Sequence, residues 1–317
     1  MKLDDSILDS REKLAFALRA LYQRRGCTRY HMRKFEEYDL YARNKDFLLS
    51  DQIITFTDTN GRLMALKPDV TLSIVKSVKD APDTLEKLCY HESVYRVSKG
   101  SGTFRELMQS GVECIGAVDE RCVGETLLLA AESLALCAEH YVLEVSHLDI
   151  LRHFVHDLSG DDAVRRDLLK CVREKNLHGI SDVCRAGGAA PEKAEALCEL
   201  LALHGSPADV LPELEKLCAK RGLDAELLHL RGVLSVLDGT GAENRVRLDF
   251  SPVSNLNYYN GVLFTGYVEG VPGSVLSGGQ YDRLMRRMGR SSKAVGFALY
   301  LDLLERLDDA APEGTDA

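Results

Sequence analysis

The sequence lacks the features that mark secreted, metal-binding and membrane proteins. It opens without a secretory signal, contains no apolar run long enough to cross a bilayer, and has no pair of cysteines at the CxxC spacing. An odd number of scattered cysteines argues against a disulfide framework and against a structural zinc site. We therefore expect a cytoplasmic protein with reduced thiols, without a metal or another cofactor. The nine cysteines are Cys27, Cys89, Cys114, Cys122, Cys137, Cys171, Cys184, Cys198 and Cys218.

A long run of basic residues is also missing. The chain has 40 Lys and Arg against 49 Asp and Glu, which gives a net charge of -9 at pH 7. Nucleic acid phosphates bind proteins through a basic face, and an acidic total makes such a face less common. The composition therefore disfavours tRNA or any other nucleic acid as a partner.

The order of the periodic segments predicts an α+β fold. With 317 residues, of which 45% are hydrophobic, the chain can form one large domain and a smaller one. An almost wholly helical, Leu- and Ala-rich stretch covers residues 151–240, and strand patterns lie before and after it. We predict a core of residues 1–150 and 241–308 built on an antiparallel sheet flanked by helices. The helical domain at 151–240 would be inserted into this core, and the acidic tail at 309–317 would be disordered.

Turn and cap residues give local predictions. Residues 11–25 have helical periodicity and end at Gly26, a residue favoured after a helix. Asn60-Gly61 stands between runs rich in β-branched residues, which predicts a tight hairpin of type I′. Asn260-Gly261 predicts a second turn before a strand, and residues 120–141 and 142–150 read as a helix followed by a strand.

Residues 92–116 show the clearest chemical pattern. Two apolar-alternating arms flank a loop that is rich in Ser and Gly, as in a long antiparallel hairpin. Arg105, Gln109 and Glu113 recur at even spacing in the second arm, so a strand would place them on one face. An exposed polar face explains the same spacing, and the spacing alone does not choose between a binding surface and that simpler arrangement.

Two further segments contain candidate binding residues. Asp69 and Thr71 follow Pro68, which is typical of a helix start and places both in its first turn. Tyr258 and Tyr259 stand at the end of a strand pattern, where tyrosines are often core residues with a satisfied hydroxyl. His147, His153 and His156 crowd one region, but no acidic cluster completes a metal site there, so we assign them no role.

These segments resemble the histidyl-tRNA synthetase family of class II aminoacyl-tRNA synthetases. The stretch from Tyr95-Arg96 to Glu113 resembles the family's motif 2, and the NLNYYNG segment, residues 255–261, resembles its histidine-specific signature. The resemblance implies the class II fold and a site for the amino acid histidine. Its candidate residues would be Asp69, Thr71, Arg96, Gln109, Glu113, Tyr258 and Tyr259. Asp69, Thr71 and Gln109 would meet the ammonium, Arg96 the carboxylate, and Glu113 with a tyrosine the ring nitrogens.

The sequence departs from the synthetases on the nucleotide side of that site. Ser98 or Val97 stands in place of the acid that reads adenine, and Thr103, Ser254 and Leu303 stand in place of three arginines. Positioned cations supply most of the help that proteins give to adenylate formation. If each contributed about 2 to 3 kcal/mol, their loss would slow the reaction by several orders of magnitude. We therefore expect no catalytic residues.

A degenerate chain of this kind, ending soon after motif 3 without room for an anticodon-binding domain, resembles the regulatory subunits of ATP phosphoribosyltransferase. That resemblance implies a hetero-oligomer with a separate short-form catalytic transferase subunit and feedback inhibition by L-histidine. It also implies a dimer of this chain, although the segment that matches the dimerisation motif has Arg33 in place of the family's proline. The alternatives are a free-standing amino-acid-activating ligase, another histidyl-tRNA synthetase paralogue, and an intact synthetase.

Overall fold

The computed structural model describes residues 7–45, 48, 53–98, 101–219, 221–251 and 258–304. Ser254 and the predicted tail at 309–317 lie outside these residues. The helices are α1 (Ser10–Arg24), α2 (Tyr38–Ala42), α3 (Thr71–Ser77), α4 (Glu120–Cys137), α5 (Leu148–Leu158), α6 (Asp162–Arg173), α7 (Leu177–Ala186), α8 (Pro191–Ala202), α9 (Pro207–Cys218), α10 (Asp224–Ser235) and α11 (Asp282–Arg287). The strands are β1 (Thr28–Arg29), β2 (Phe35–Glu37), β3 (Thr55–Thr57), β4 (Leu63–Leu66), β5 (Leu85–Val97), β6 (Phe104–Gly116), β7 (Tyr141–His147), β8 (His204–Gly205), β9 (Val246–Asp249), β10 (Asn260–Val268), β11 (Leu276–Gln280) and β12 (Lys293–Tyr300).

A nine-stranded sheet forms the centre of the molecule. Its order is β1-β5-β6-β12-β11-β10-β7-β9-β8, and within the six strands from β5 to β7 every adjacent pair is antiparallel. The expectation of an antiparallel sheet needs correction at both edges, because β1 runs parallel to β5 and β9 runs parallel to β7. A separate three-stranded sheet has the order β2-β4-β3.

Successive side chains of β6 point to opposite faces of the large sheet. Val112 and Cys114 belong to an apolar cluster with α1 and α4, whereas Ile115 belongs to a second cluster with α3 and α11. Glu113 has the same parity as Ile115, so its side chain lies on the face of α3 and α11. This alternation places Gln109 and Glu113 beside the second cluster.

Helix α5 begins earlier than the sequence pattern predicts. The strand expected at residues 142–150 ends at His147, since α5 starts at Leu148. Leu148, Leu151 and Val155 are all buried on one face of this helix. The apolar residues at 148–150 fit both the period of a strand and that of a helix, so the periodicity of this short segment does not distinguish the two structures.

The helical stretch predicted at residues 151–240 contains most of α5 and all of α6 to α10. Buried residues of these helices, such as Leu197 and Leu214, belong to the same apolar cluster as Leu143 and Phe264 of the sheet. The division into a core and an inserted domain stays a prediction. No helix within the described ranges is both long and apolar enough to span a bilayer.

Candidate functional site

All seven candidate residues line one pocket on the face of the sheet that holds α3 and α11. Asp69 and Thr71 come from the start of α3, Arg96 from the end of β5, Gln109 and Glu113 from β6, and Tyr258 and Tyr259 from the segment before β10. Arg105, which shares the spacing of Gln109 and Glu113, is exposed and does not line this pocket. The even spacing in β6 therefore identified two of three residues.

Glycines lie at and beside the pocket, where Gly296 is one of the lining residues. Gly111 pairs with Tyr90, and a Cβ added to Gly111 would lie 2.4 Å from the Tyr90 hydroxyl oxygen. Gly279 pairs with Gly296 on the neighbouring strands, and a Cβ added to Gly279 would lie 3.0 Å from the ring of Tyr259. The paired glycines of β11 were expected to permit a close approach, and the aromatic rings here use the space that side chains would fill.

Glu113 is the most deeply buried acid of the pocket, with 2% of its surface exposed. The hydroxyl of Thr71 donates to its Oε1 at 2.7 Å, and the hydroxyl of Tyr281 donates to its Oε2 at 2.5 Å. Burial raises the pKa of Glu113 to about 8, although both hydroxyl hydrogen bonds act in the opposite direction and the nearby charge of Asp69 raises it further. The carboxyl group is therefore mostly protonated at neutral pH.

Asp69 and Arg96 provide opposite charges in the lining of the pocket. Burial raises the pKa of Asp69, while the backbone N–H of Leu72 and the charge of Arg96 lower it. Asp69 Oδ1 accepts the Leu72 N–H at 2.8 Å, so the acid caps α3 from outside the helix, two residues before Thr71. The prediction that Asp69 lies in the first helical turn is wrong by this small margin. Arg96 Nε donates to the carbonyl oxygen of Pro68 at 3.1 Å.

Aromatic residues close the pocket on the β10 and β11 side. The ring centroids of Tyr258 and Tyr259 lie 4.5 Å apart, and those of Tyr258 and Tyr281 lie 5.7 Å apart. Burial raises the pKa of each of these three phenols well above its ordinary value, so they act as neutral hydrogen-bonding groups. The free volume open to the centre of a water molecule is only about 40 Å³, enough for a few waters.

Sequence reasoning missed three tyrosines of the pocket and a buried ion pair beside it. Tyr90, Tyr281 and Tyr300 line the pocket together with the seven candidates. Lys67 is fully buried and forms an ion pair with Glu92 at 2.9 Å. Lys67 lies between β4 and α3, whereas Glu92 belongs to β5, so no local pattern in the sequence indicated this pair.

Comparison with known proteins places the chain in a family. The model of the histidyl-tRNA synthetase family matches residues 3–304. A relative named ATP phosphoribosyltransferase regulatory subunit, from Clostridium kluyveri, is 31% identical over 90% of this chain and 74% of its own length. The chain belongs to the histidyl-tRNA synthetase family, among its ATP phosphoribosyltransferase regulatory subunits. The predicted family and the class II synthetase-like fold are thus confirmed.

Solved structures of this family share the fold. A structure described as an ATP phosphoribosyltransferase regulatory subunit/histidyl-tRNA synthetase from Bacillus halodurans C superimposes with a TM-score of 0.81 at 25% identity, covering 94% of this chain and 79% of its own. A chain of an ATP phosphoribosyl transferase complex from Thermotoga maritima gives a TM-score of 0.71 at 18% identity, covering 94% and 97%.

Proposed function

We propose that this chain is a non-catalytic regulatory subunit of ATP phosphoribosyltransferase, required for the first step of histidine biosynthesis and for its inhibition by histidine. The observation that supports this most is the single pocket formed by Asp69, Thr71, Arg96, Gln109, Glu113, Tyr258 and Tyr259 in a chain of this family. The pocket combines two acids, one cation, an amide and phenols. That set suits a small zwitterion with an imidazole ring.

We expect the pocket to widen when histidine binds, because the present volume holds only a few waters. Glu113 would exchange the hydroxyl of Thr71 or of Tyr281 for a donor on the ligand, and Arg96 would meet the carboxylate. Histidine would bind a wider state of the pocket more tightly than the present state, and this difference in affinity would provide the free energy for the rearrangement. Such a ligand shifts the population of states and can thereby act at a distance.

The scarcity of cations supports a role without catalysis. Of the pocket-lining residues that the structure describes, only Arg96 has a cationic side chain. Thr103 lies in the exposed end of the β5-β6 hairpin, and Leu303 packs partly buried against the apolar core. Adenylate formation needs several positioned cations around the phosphates, and these positions do not supply them.

The partner in this proposal is the short-form catalytic subunit of ATP phosphoribosyltransferase, in a hetero-oligomer in which this chain also forms a dimer and binds no tRNA. Purified alone, the chain should be inert. When it is mixed with the short transferase chain, we expect the transferase reaction to become active or sensitive to histidine. Unchanged transferase kinetics with and without this chain would contradict the proposal.

Two substitutions test the pocket. We expect Glu113→Ala and Tyr259→Ala each to weaken histidine binding by about tenfold or more, since each removes a contact to the ligand. Calorimetric titration of histidine into the purified chain measures this effect. Arg105→Ala is the matched control, because it changes an exposed residue of β6 outside the pocket. Equal histidine affinities for the wild type and the three variants would show that histidine does not bind in this pocket.

An amino-acid-activating ligase makes the opposite prediction for the isolated chain. Such an enzyme catalyses histidine-dependent exchange of pyrophosphate into ATP without a partner. We expect no exchange above background, even at high protein concentration, and exchange at an enzymatic rate would favour the ligase.

A further inference from the structure

A second cleft lies between α5, α6 and α11. Arg152, Arg165, Arg166 and Arg283 line it together with His156 and Asp162, and its volume is about 240 Å³. None of these residues lines the candidate histidine pocket. The sequence pattern did not reveal the cleft, since its cations come from segments more than a hundred residues apart.

Two of the four guanidinium groups already have partners inside the protein. Arg152 donates to Asp149 at 2.7 Å and to the carbonyl oxygen of Tyr259 at 2.7 Å. Arg165 pairs with Asp162 at 2.9 Å and also contacts His156. These contacts hold the two side chains in place and leave the cleft with an excess of positive charge.

The other two arginines of the cleft have fewer hydrogen-bond and ion-pair partners than Arg152 and Arg165. The side chains of Arg166 and Arg283 make no hydrogen bond or ion pair with any residue in the described part of the chain. The Nε of Arg165 is buried and also has no partner there. Each guanidinium group offers up to five N–H donors, so the cleft has donors in excess of acceptors.

The pKa of His156 is consistent with the convergence of the cations around the cleft. Burial lowers the pKa of His156, and the charges of Arg165, Arg152 and Arg283 lower it further against the opposite effect of Asp162. The charge of Arg283 also lowers the pKa of Arg152, in addition to the larger effect of burial. Like charges gathered around one partly enclosed space repel each other unless an anion lies between them.

We propose that this cleft binds the phosphate group of a small molecule, with the guanidinium groups of Arg166 and Arg283 as its donors. A phosphate group presents several acceptor oxygens and two negative charges, which match planar guanidinium donors better than a single carboxylate does. A cleft of about 240 Å³ fits a small phosphorylated ligand, whereas the net charge of -9 disfavours a long nucleic acid.

Binding to the whole purified chain tests this site. The probes are inorganic phosphate, pyrophosphate and ribose 5-phosphate, titrated at low ionic strength, where exposed charges are least screened. We expect one molecule of at least one probe to bind per chain, and Arg166→Ala and Arg283→Ala each to weaken that binding by about tenfold. Comparison of the three probes identifies whether a phosphate monoester or a diphosphate is preferred.

Arg173→Ala is the charge-matched control, because Arg173 is an exposed residue of the same helix as Arg166 and lies outside the cleft. The proposal is wrong if no probe binds the wild-type chain, or if all variants bind equally. It is also wrong if Arg166→Ala and Arg283→Ala leave phosphate binding intact and instead abolish association with the catalytic subunit. Histidine affinity measured on the same samples separates a failure here from a failure of the proposed function.

Discussion

A buried carboxyl group with two hydroxyl donors is the chemical centre of the pocket. Glu113 lies between Thr71 and Tyr281, and burial outweighs both hydrogen bonds in setting its pKa to about 8. Its ordinary value is 4.5. The folded protein therefore binds a proton at Glu113 over a range of pH in which the unfolded chain has released it.

This difference predicts a pH-dependent loss of stability. Because the pKa is raised in the folded state, the contribution of Glu113 is fully present below pH 4.5 and is lost as the pH rises through about 8. The loss is at most about 5 kcal/mol in the free energy of unfolding. We expect Glu113→Gln to flatten this dependence, as measured by urea unfolding between pH 5 and pH 8, a range taken from the same linkage argument.

The exposed Glu86 provides the control for that measurement. Glu86→Gln should leave the pH profile of the wild type unchanged, because Glu86 is exposed and lies outside the pocket. Parallel profiles for Glu113→Gln and the wild type would show that Glu113 ionises normally in the fold.

Local sequence identified the polar residues of the pocket better than its aromatic walls. Gln109 and Glu113 share one strand, so their spacing was enough to place them on one face. Tyr281 and Tyr300 reach the pocket only because β12 lies next to β6 in the sheet and β11 lies next to β12. Strand order depends on contacts that are distant in sequence, and one sequence does not contain that information.

At the scale of elements, the same dipeptide formed two different structures. Asn60-Gly61 was predicted to form a type I′ turn, but the hairpin has a three-residue loop in which Asp58 N–H donates to the carbonyl oxygen of Arg62 at 2.9 Å. Only Gly61 has a positive φ there. The Asp58 carboxylate accepts the N–H groups of Asn60 and Arg62, which favours the longer loop.

Asn260-Gly261 does not form the predicted turn. Asn260 is the first residue of β10, and the register with β11 shifts between Asn260 and Leu263. The N–H of Gly261 donates to Asp149 of α5 at 2.8 Å instead of closing a turn. A partner 112 residues away in sequence thus determines this local conformation.

Helix α5 contacts the backbone at Tyr259 and Gly261 through Arg152 and Asp149. Arg152 holds the Tyr259 carbonyl oxygen at 2.7 Å and pairs with Asp149, which binds Gly261. We expect Arg152→Met to weaken histidine binding by about tenfold, because it frees the backbone that carries the Tyr259 ring. Calorimetric titration of histidine measures the effect. A purely structural role would lower stability without changing the affinity.

The matched control for Arg152→Met is Arg121→Met. Arg121 is exposed on α4 and pairs with Glu125 at 3.0 Å, away from the pocket. An exposed ion pair contributes little to stability, so this variant should bind histidine like the wild type. Equal affinity in both variants would mean that α5 does not position Tyr259.

At the scale of the whole molecule, the helical stretch and the sheet share one apolar core. Helix α10, from the stretch predicted as an insertion, packs against α4, which covers the large sheet. Gly124 of α4 permits this close approach, since an added Cβ would lie 2.4 Å from Cγ2 of Val236 and 2.8 Å from the carbonyl oxygen of Val233. The sequence showed a composition change at residue 151 but not this contact.

The shared core predicts cooperative unfolding of the whole chain. In Gly124→Ala, the favourable change in helix propensity is about 1 kcal/mol, but overpacking against a backbone oxygen costs about 1 to 3 kcal/mol. We expect a net loss of stability and one unfolding transition, followed by calorimetry and by far-ultraviolet circular dichroism. Gly160→Ala is the control, because its added Cβ would meet no atom within 4 Å. Two separate transitions, with only one of them shifted by Gly124→Ala, would instead indicate that residues 151–240 unfold as an independent domain.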